Sequence, residues 1–284
     1  MSAIRVISYN IHKGRSATGS RESLADLRLG LYGLRPDLLF LQEVQGRNEM
    51  RSSLHAQHES LSAALGMEAA YGCNAVRPRT DHGNALLTRF PILHQENLDI
   101  SDHRLEQRGL LHVVIDMDGR PVHCLVVHLG LFGGGRSRQI AALVERIRLW
   151  VPDDEPLLIA GDFNDWKNQL APLFVRQLQL YEVFAVAPHS GIAVPAYGGP
   201  IHRIRSTLRR ARPTAGQRAV HELGHQGAAR LTPPPRTFPA AFPWLRLDRI
   251  YQRGFAVRQA QVLQGTPWRQ LSDHAPLLTE LELP

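Results

Sequence analysis

The sequence predicts an α/β protein, because runs typical of β-strands and of amphipathic helices alternate along the first two-thirds of the chain. Hydrophobic residues make up 43% of the 284 residues and charged residues 21%, as in a globular protein with a full core. Strand patterns return after a segment rich in Pro, Gly and Arg at about residues 188–243. We therefore predict a single domain, residues 1–284, that this segment interrupts as a surface insertion.

The first half of the chain begins with a strand and a helix. Ile4–Asn10 is apolar and β-branched, which favours a buried strand. Leucines recur at helical spacing through Ser20–Leu34, and Pro36 then stops the helix. The other elements predicted in this half are a strand at Leu38–Val44, a helix at Ser52–Leu65, and strands at Glu68–Val76 and Asn84–Thr88.

The second half contains a hairpin. Leu110–Met117 and Val122–Leu129 are apolar runs joined by Asp118-Gly119, a dipeptide that accepts the positive φ angles of a tight turn. Gly133, Gly134 and Gly135 are expected to let the chain turn from this hairpin into the next helix. The elements that follow are predicted as helices at Ser137–Val151 and Leu170–Leu180 and strands at Leu157–Ala160, Leu245–Gln252, Gln259–Leu263 and Pro276–Leu283.

The sequence predicts a cytoplasmic protein. It shows neither the apolar core of a secretion signal nor a run of about 18 apolar residues that could cross a membrane. Cys73 and Cys124 lie far apart and belong to no zinc-binding spacing, so we expect buried, reduced thiols.

One segment makes the chain basic. Between His202 and Arg253 there are 11 Arg and only two acidic residues, a net charge of +9, against +7 for the whole chain. The rest of the chain is therefore slightly acidic. Such a segment favours contact with nucleic acid or an anionic lipid surface, and a solvated Arg-rich insertion accounts for it equally well. The oligomeric state is not readable from the sequence.

Polar clusters stand at the ends of the apolar strands. Ligands bind outside strand ends in α/β sheets, where loops bring together residues that are distant in sequence. The clusters therefore suggest one shared site. They are Asn10 and His12 in SYNIHKG, Glu43 in FLQEV, His128 in VVHLG, Asp162 and Asn164 in IAGDFND, Asp248 in LRLDRIY, and Asp273 and His274 in SDHAP.

Read in order, SYN, QE, HL, GDFN, LDRI and SDH resemble the motif series of the endonuclease/exonuclease/phosphatase superfamily, over nearly the whole chain from Ile4 to Pro276. This resemblance implies a deoxyribonuclease I-like fold: a four-layered α/β sandwich in which two mixed β-sheets pack face to face with helices outside. It also implies a metal-dependent hydrolase of phosphate esters, most of all of nucleic-acid or phospholipid-type diesters.

Phosphodiesters carry negative charge, so water attack on them needs a general base, a cation and fixed hydrogen-bond donors. Mg²⁺ prefers hard oxygen ligands and needs only one or two carboxylates, and Mn²⁺ can substitute for it. Glu43 is the leading predicted ligand, with Asn10 and Asp273 assisting.

The resemblance implies roles for the remaining residues. Asp162 activates the water, and Asn164 binds phosphate or the metal. His274 donates to the phosphoryl oxygen and Asp248 orients its ring. His128 is a general acid or a phosphate clamp. From their positions near the strand ends, Arg108 and His12 are predicted to bind phosphate together with Asn164, and a solvated strand-end arginine accounts for Arg108 equally well.

Two other functions stay open. His221, Glu222 and His225 form an HExxH motif, which predicts a zinc peptidase if a third ligand exists. Ala228 and Leu231 stand where the extended motif has Gly and His, so that third ligand is not evident. An inactive scaffold that binds anions is disfavoured, because polar groups gathered without a cation would cost stability.

Overall fold

Two sheets of six strands each pack face to face in the described residues. The structure is a computed structural model, and it describes residues 3–102, 106–188 and 233–284. Both sheets are mixed, and helices cover their outer faces. The predicted α/β sandwich is therefore confirmed.

The first sheet contains the first and last strands of the structure. Its central pair, β1 and β2, is parallel, and every other neighbouring pair is antiparallel. From edge to edge the strands are β11 (Ala256–Val262), β12 (Leu277–Glu282), β1 (Ile4–Asn10), β2 (Leu38–Val44), β4 (Asp81–Thr88) and β3 (Glu68–Val76).

The second sheet repeats this plan. Its parallel pair is β7 and β8, and its other pairs are antiparallel. From edge to edge the strands are β5 (Ile92–Asp99), β6 (Gly109–Met117), β7 (Arg120–His128), β8 (Leu157–Asp162), β10 (Asp248–Arg253) and β9 (Tyr181–Glu182).

Side-chain alternation divides the core into three layers. Val6 and Phe40 face Val126 and Ala160 between the sheets. Their chain neighbours, such as Ile7, point outward and pack against helices. Because side chains alternate along a strand, each central strand serves an inner and an outer layer.

Helices close both outer faces. The helices α1, α2 and α6 contribute to the apolar cluster on the first sheet, and α3 and α4 to the cluster on the second. The helices are α1 (Leu24–Leu34), α2 (Gln57–Leu65), α3 (Gly133–Trp150), α4 (Ala171–Leu178), α5 (Val183–Val186) and α6 (Trp268–Leu271), with 3-10 turns at His12–Gly14 and Ser52–Leu54.

The predicted hairpin is confirmed, since Asp118 and Gly119 both have positive φ at its turn. The three glycines at residues 133–135 form the first turn of α3 and do not precede it. The predicted helix Ser52–Leu65 is interrupted at Ala56, whose left-handed backbone (φ 47°) cannot continue a helix.

Other boundaries also differ from the predictions. The first helix begins at Leu24, since Ser20–Ser23 form a turn and an isolated bridge. Strand β5 was not predicted, because most of this edge strand is exposed and it lacks an apolar alternation. Cys124 is buried as expected, but Cys73 is exposed. Among the described residues, no helix is both long and apolar enough to cross a membrane.

Candidate active site

Polar side chains end the apolar rows of four strands at one end of the sandwich. In β7 the inward-facing row passes through Val126 and ends in His128. The inward-facing rows of β1 and β8 end in Asn10 and Asp162, and Asp248 begins the antiparallel β10 at the same edge. Residues two positions apart in a strand face the same side. The four polar groups therefore meet between the sheets.

Strand register aligns three of these groups. His128 is the partner of Asp162 in the parallel β7–β8 pair, and Asp162 is the partner of Asp248 in the antiparallel β8–β10 pair. Consequently the three side chains stand side by side on neighbouring strands of the second sheet.

Asp162 is at the centre of the site. Its Oδ2 lies 3.5 Å from Asn10 Nδ2, 3.5 Å from His128 Nε2 and 3.7 Å from His274 Nε2. Its Oδ1 accepts the backbone N–H of Asn164 at 3.0 Å. Burial raises the pKa of the Asp162 carboxyl, although both histidines oppose the rise. Three nitrogens thus point at one oxygen from distances at or beyond the limit of a hydrogen bond.

His274 is oriented from the other side of its ring. Its Nδ1 lies 2.9 Å from Asp248 Oδ2, and Phe238 packs against the ring at 4.9 Å between centroids. Burial disfavours the imidazolium, but the carboxylates of Asp248 and Asp162 outweigh burial and raise the pKa of His274 to about 10. At neutral pH His274 therefore carries a proton on both ring nitrogens.

His128 differs from His274 in charge. Burial, together with the nearby guanidinium of Arg108, lowers the pKa of His128 to about 4. The ring is consequently neutral at pH 7. Arg108 itself pairs with Glu106 across 3.5 Å, and its Nε is buried without a partner among the described residues.

Glu43 approaches from the first sheet, at an irregularity in β2. The residue has a positive φ of 54°, and the pairing of β2 with β4 shifts register between Leu41 and Val44. Its Oε1 lies 3.5 Å from Asn10 Nδ2, and Lys13 Nζ donates to its Oε2. Burial opposes ionisation, yet the charge of Lys13 and its hydrogen bond hold the pKa of Glu43 well below its usual range.

Two loops of the first sheet complete the site. His12 Nδ1 lies 3.7 Å from Asp273 Oδ1, and the His12 backbone donates to Asn10 Oδ1 at 3.1 Å. Ser272 Oγ donates to the carbonyl of Asn10 at 2.7 Å. These bonds fix the loop before β12 against the end of β1.

Asn164 adopts a left-handed backbone with φ of 50°, as Asn tolerates better than most residues. Its Nδ2 donates to the carbonyl of Leu129 at 2.9 Å, so it ties the loop after β8 to the end of β7. The structure therefore brings Asn10, Glu43, His128, Asp162, Asn164, Asp248 and His274 into one connected group, with His12 and Asp273 paired beside it and Arg108 at its margin.

The donor set fits a hard divalent cation. Glu43 and Asp162 lie on either side of the Asn10 amide, which directs Nδ2 toward both carboxylates. Asp248 Oδ1 is buried, and it has no hydrogen-bond partner within the part of the chain that the structure describes. Asp162 and Asp248 also have carboxylate oxygens within 4.8 Å of each other. Buried carboxylates that exceed the nearby cations favour binding of a cation, and oxygen ligands suit Mg²⁺.

Several residues near the site were not predicted. Asn84 on β4 is buried, and its Nδ2 donates to the carbonyls of Gly109 at 2.9 Å and Val126 at 3.2 Å in the second sheet. Gly109 directly follows Arg108, and Val126 lies two residues before His128. The one sequence signal for Asn84 was a polar residue at the start of an apolar strand.

The segment before β10 also belongs to the site. Thr237 Oγ1 accepts the backbone N–H of Asp248 at 3.4 Å, and the backbone of Ala240 donates to the carbonyl of Asp273 at 2.6 Å. His82, at the start of β4 in the first sheet, lies near Glu43 and Lys13. Burial together with the Lys13 charge lowers the pKa of His82 to about 4. No local pattern marked these residues.

The family model described as the Endonuclease/Exonuclease/phosphatase family matches residues 7–274, which span every predicted site residue. The chain belongs to this family. Members of the endonuclease/exonuclease/phosphatase family are phosphoesterases and nucleases, and the similarity predicted from the motif series is confirmed.

A curated relative of this chain is the uncharacterized protein YbhP of Escherichia coli K12, 36% identical over 99% of this chain and 97% of its own length. A family protein from Beutenbergia cavernae has a similar structure, with a TM-score of 0.69 and 18% identity over 100% of this chain and 72% of its own. The human Nocturnin catalytic domain, with bound sulfate, has a TM-score of 0.67 and 21% identity over 100% of this chain and 94% of its own. At these identities the solved structures show a shared fold.

Some predictions lie outside the described residues. They include His221, Glu222 and His225 of the HExxH motif and most of the predicted insertion at 188–243, with Arg203, Arg205, Arg209, Arg210 and Arg212. The zinc-peptidase hypothesis therefore stays a prediction from the sequence.

Proposed function

We propose that this protein hydrolyses phosphodiesters of the nucleic-acid or phospholipid kind, with Mg²⁺ as its cofactor and Mn²⁺ as a substitute. The observation that carries the proposal is the convergence of Asn10, His128 and His274 on Asp162 Oδ2. One carboxylate oxygen framed by three nitrogens suits a general base whose water molecule must be held in one place.

In the proposed reaction Asp162 Oδ2 accepts a proton from water as the water oxygen attacks phosphorus. A phosphorus–oxygen bond to the water oxygen forms and the phosphorus–oxygen ester bond to the leaving group breaks. The leaving oxygen takes up a proton from solvent water, and Asp162 returns its proton to solvent. His274 is charged and Asp248 occupies its Nδ1, so its Nε2–H is free to donate to a phosphoryl oxygen.

The other predicted residues bind and orient the phosphate. His128 is neutral and donates or accepts one hydrogen bond, so in this state it acts as a clamp. Arg108, His12 and Asn164 add hydrogen-bond donors at the edges of the site. Glu43, with Asn10 and Asp273, would hold the divalent ion, whose charge offsets that of the phosphate when it is bound.

The test is a panel of substrates assayed with Mg²⁺, Mn²⁺ or Zn²⁺ and with EDTA. It includes bis-p-nitrophenyl phosphate, plasmid and single-stranded DNA, RNA, phospholipids and casein. EDTA should abolish diester cleavage, and Asp162→Asn and His274→Gln should lower kcat by roughly 10²-fold or more. Asp26→Asn, an exposed carboxylate on α1, is the matched control. Near-wild-type rates in both site variants would refute the proposal.

A further inference from the structure

Exposed apolar side chains surround the site. Leu131, Phe132, Trp166, Phe242 and Trp244 have 51%, 68%, 40%, 80% and 57% of their surface exposed. We call these five residues the apolar rim. All of them belong to loops of the second sheet at the edge where β7 and β8 end and β10 begins, which is the edge that bears His128, Asp162 and Asp248.

Two of the three rim loops contact each other. The backbone of Leu131 donates to Glu106 Oε1 at 3.0 Å, and the same oxygen pairs with Arg108 at the margin of the site. Trp166 follows Asn164 by two residues, and the guanidinium of Arg136 stacks over its ring at 5.4 Å. The loops after β7 and β8 therefore form one continuous border.

The third loop is attached to His274. Phe238 packs on the His274 ring, and the backbone of Trp244 donates to the carbonyl of Phe238 at 2.9 Å. Phe242 closes the turn through its backbone bond to Pro239 at 3.0 Å and leaves its ring in solvent. The rim thus borders the catalytic groups on two sides.

Basic residues accompany the rim. Arg136 bonds the carbonyls of Gly130 and Leu131, and Arg77 bonds the neutral side chain of Gln107, so neither bond neutralises its charge. Lys167 is exposed next to Trp166, and Arg79 is exposed at the same end of the first sheet. The surface around the site therefore combines projecting hydrocarbon with positive charge.

We infer that the apolar rim inserts into the surface of an anionic phospholipid bilayer and presents a headgroup phosphodiester to the site. The substrate part of this inference rests on the proposed function. Aromatic and aliphatic side chains flanked by Arg and Lys are typical of proteins that lie at a lipid interface. Leu131 offers no flat face to a nucleobase, and Phe242 projects into solvent, whereas base stacking uses aromatic rings along a charged groove.

The binding test uses flotation with vesicles of phosphatidylcholine alone or mixed with phosphatidylglycerol. EDTA is present, so no turnover contributes. The wild-type protein should float with the anionic vesicles, and Leu131→Ser with Phe132→Ser should reduce the bound fraction roughly tenfold. Phe242→Ser with Trp244→Ser is an independent second variant. Leu29→Ser with Tyr32→Ser is the matched control, because this exposed pair lies on α1, away from the site.

The inference would be overturned if the wild-type protein did not bind anionic vesicles, or if the rim variants bound them as the wild type does. It would also be overturned if the rim variants lost binding to single-stranded DNA but kept binding to the vesicles. Hydrolysis of soluble bis-p-nitrophenyl phosphate by the wild-type protein tests the proposed function separately. If vesicle binding depended on the apolar rim but the protein did not hydrolyse bis-p-nitrophenyl phosphate, the membrane-binding role of the rim would be supported and the proposed function refuted. Melting temperatures establish that each variant is folded.

Discussion

His274 donates from Nδ1 to Asp248 Oδ2 across 2.9 Å, and this bond joins a loop of the first sheet to the first residue of β10 in the second. Both residues are buried. The bond therefore fixes the direction of the free Nε2–H toward Asp162 and couples the imidazolium charge to the alignment of the two sheets.

Replacing Asp248 tests this coupling. Asp248→Asn keeps the shape of the side chain but removes the charge that stabilises imidazolium, so kcat on bis-p-nitrophenyl phosphate should fall by roughly 10²-fold or more. Because Asp248 is buried and bonded to the His274 ring, KM should change much less. A variant with wild-type kcat would show that His274 needs no charged partner.

Asn84 should act as a positioning residue. Asn84→Ala removes two hydrogen bonds between the sheets, to the carbonyls of Gly109 and Val126, at a cost of about 1–3 kcal/mol in unfolding free energy. Since these carbonyls hold the chain next to Arg108 and His128, kcat should also fall, by roughly tenfold.

Asn97→Ala is the matched control for Asn84. Asn97 also bridges the sheets, through the carbonyl of Cys73 at 3.1 Å, but it is exposed on the edge strand β5. Its loss should leave kcat unchanged. Equal effects of the two variants on kcat would mean that general loosening of the sandwich, not alignment of the site, controls the rate.

Cation binding should be visible without turnover. Mg²⁺ at one hundred times its dissociation constant should stabilise the wild-type protein by about 2.7 kcal/mol, measured as a shift in melting temperature. Glu43→Gln should remove most of this shift because it removes the leading carboxylate ligand. Glu49→Gln, an exposed carboxylate a few residues further on, should keep it. An unchanged shift in the Glu43 variant would move the ion to another ligand set.

A buried chain of side chains on the second sheet predicts a pH dependence of stability. Arg146 Nε donates to His112 Nδ1 at 3.1 Å, so His112 Nε2 carries the proton and donates to His123 Nδ1 at 2.9 Å. His123 then donates to Glu155 Oε2 at 2.6 Å. Every donor and acceptor in this chain is matched when both histidines are neutral.

Burial, with the charge of Arg146, lowers the pKa of His112 to about 3. Between this value and the ordinary value of about 6.5, the unfolded chain binds a proton that the folded chain does not. Stability should therefore decrease as pH falls, by about 2 kcal/mol at pH 5 from this residue. His112→Gln should reduce the slope of a denaturation series between pH 7 and 5, and exposed His94→Gln should retain it.

Local sequence patterns were sufficient to predict the strands that carry the site. Asn10, His128 and Asp162 each end a clear apolar run, so their positions followed from the sequence. Local patterns do not show which strand of one sheet faces which strand of the other, so the bonds from Asn84 to the second sheet were not predictable. Phe238 likewise gains its contact with His274 from the path of a loop without periodicity.

The proposed catalytic and metal-binding groups are divided between two sheets, with Asn10 and Glu43 on one and Asp162 and Asp248 on the other. Neither half of the sandwich holds a working set alone. Any motion that slides one sheet past the other would separate these groups before the protein unfolds. On heating, activity should therefore be lost before the circular-dichroism signal of the helices. A substrate analogue that contacts residues of both sheets should raise the temperature of both losses.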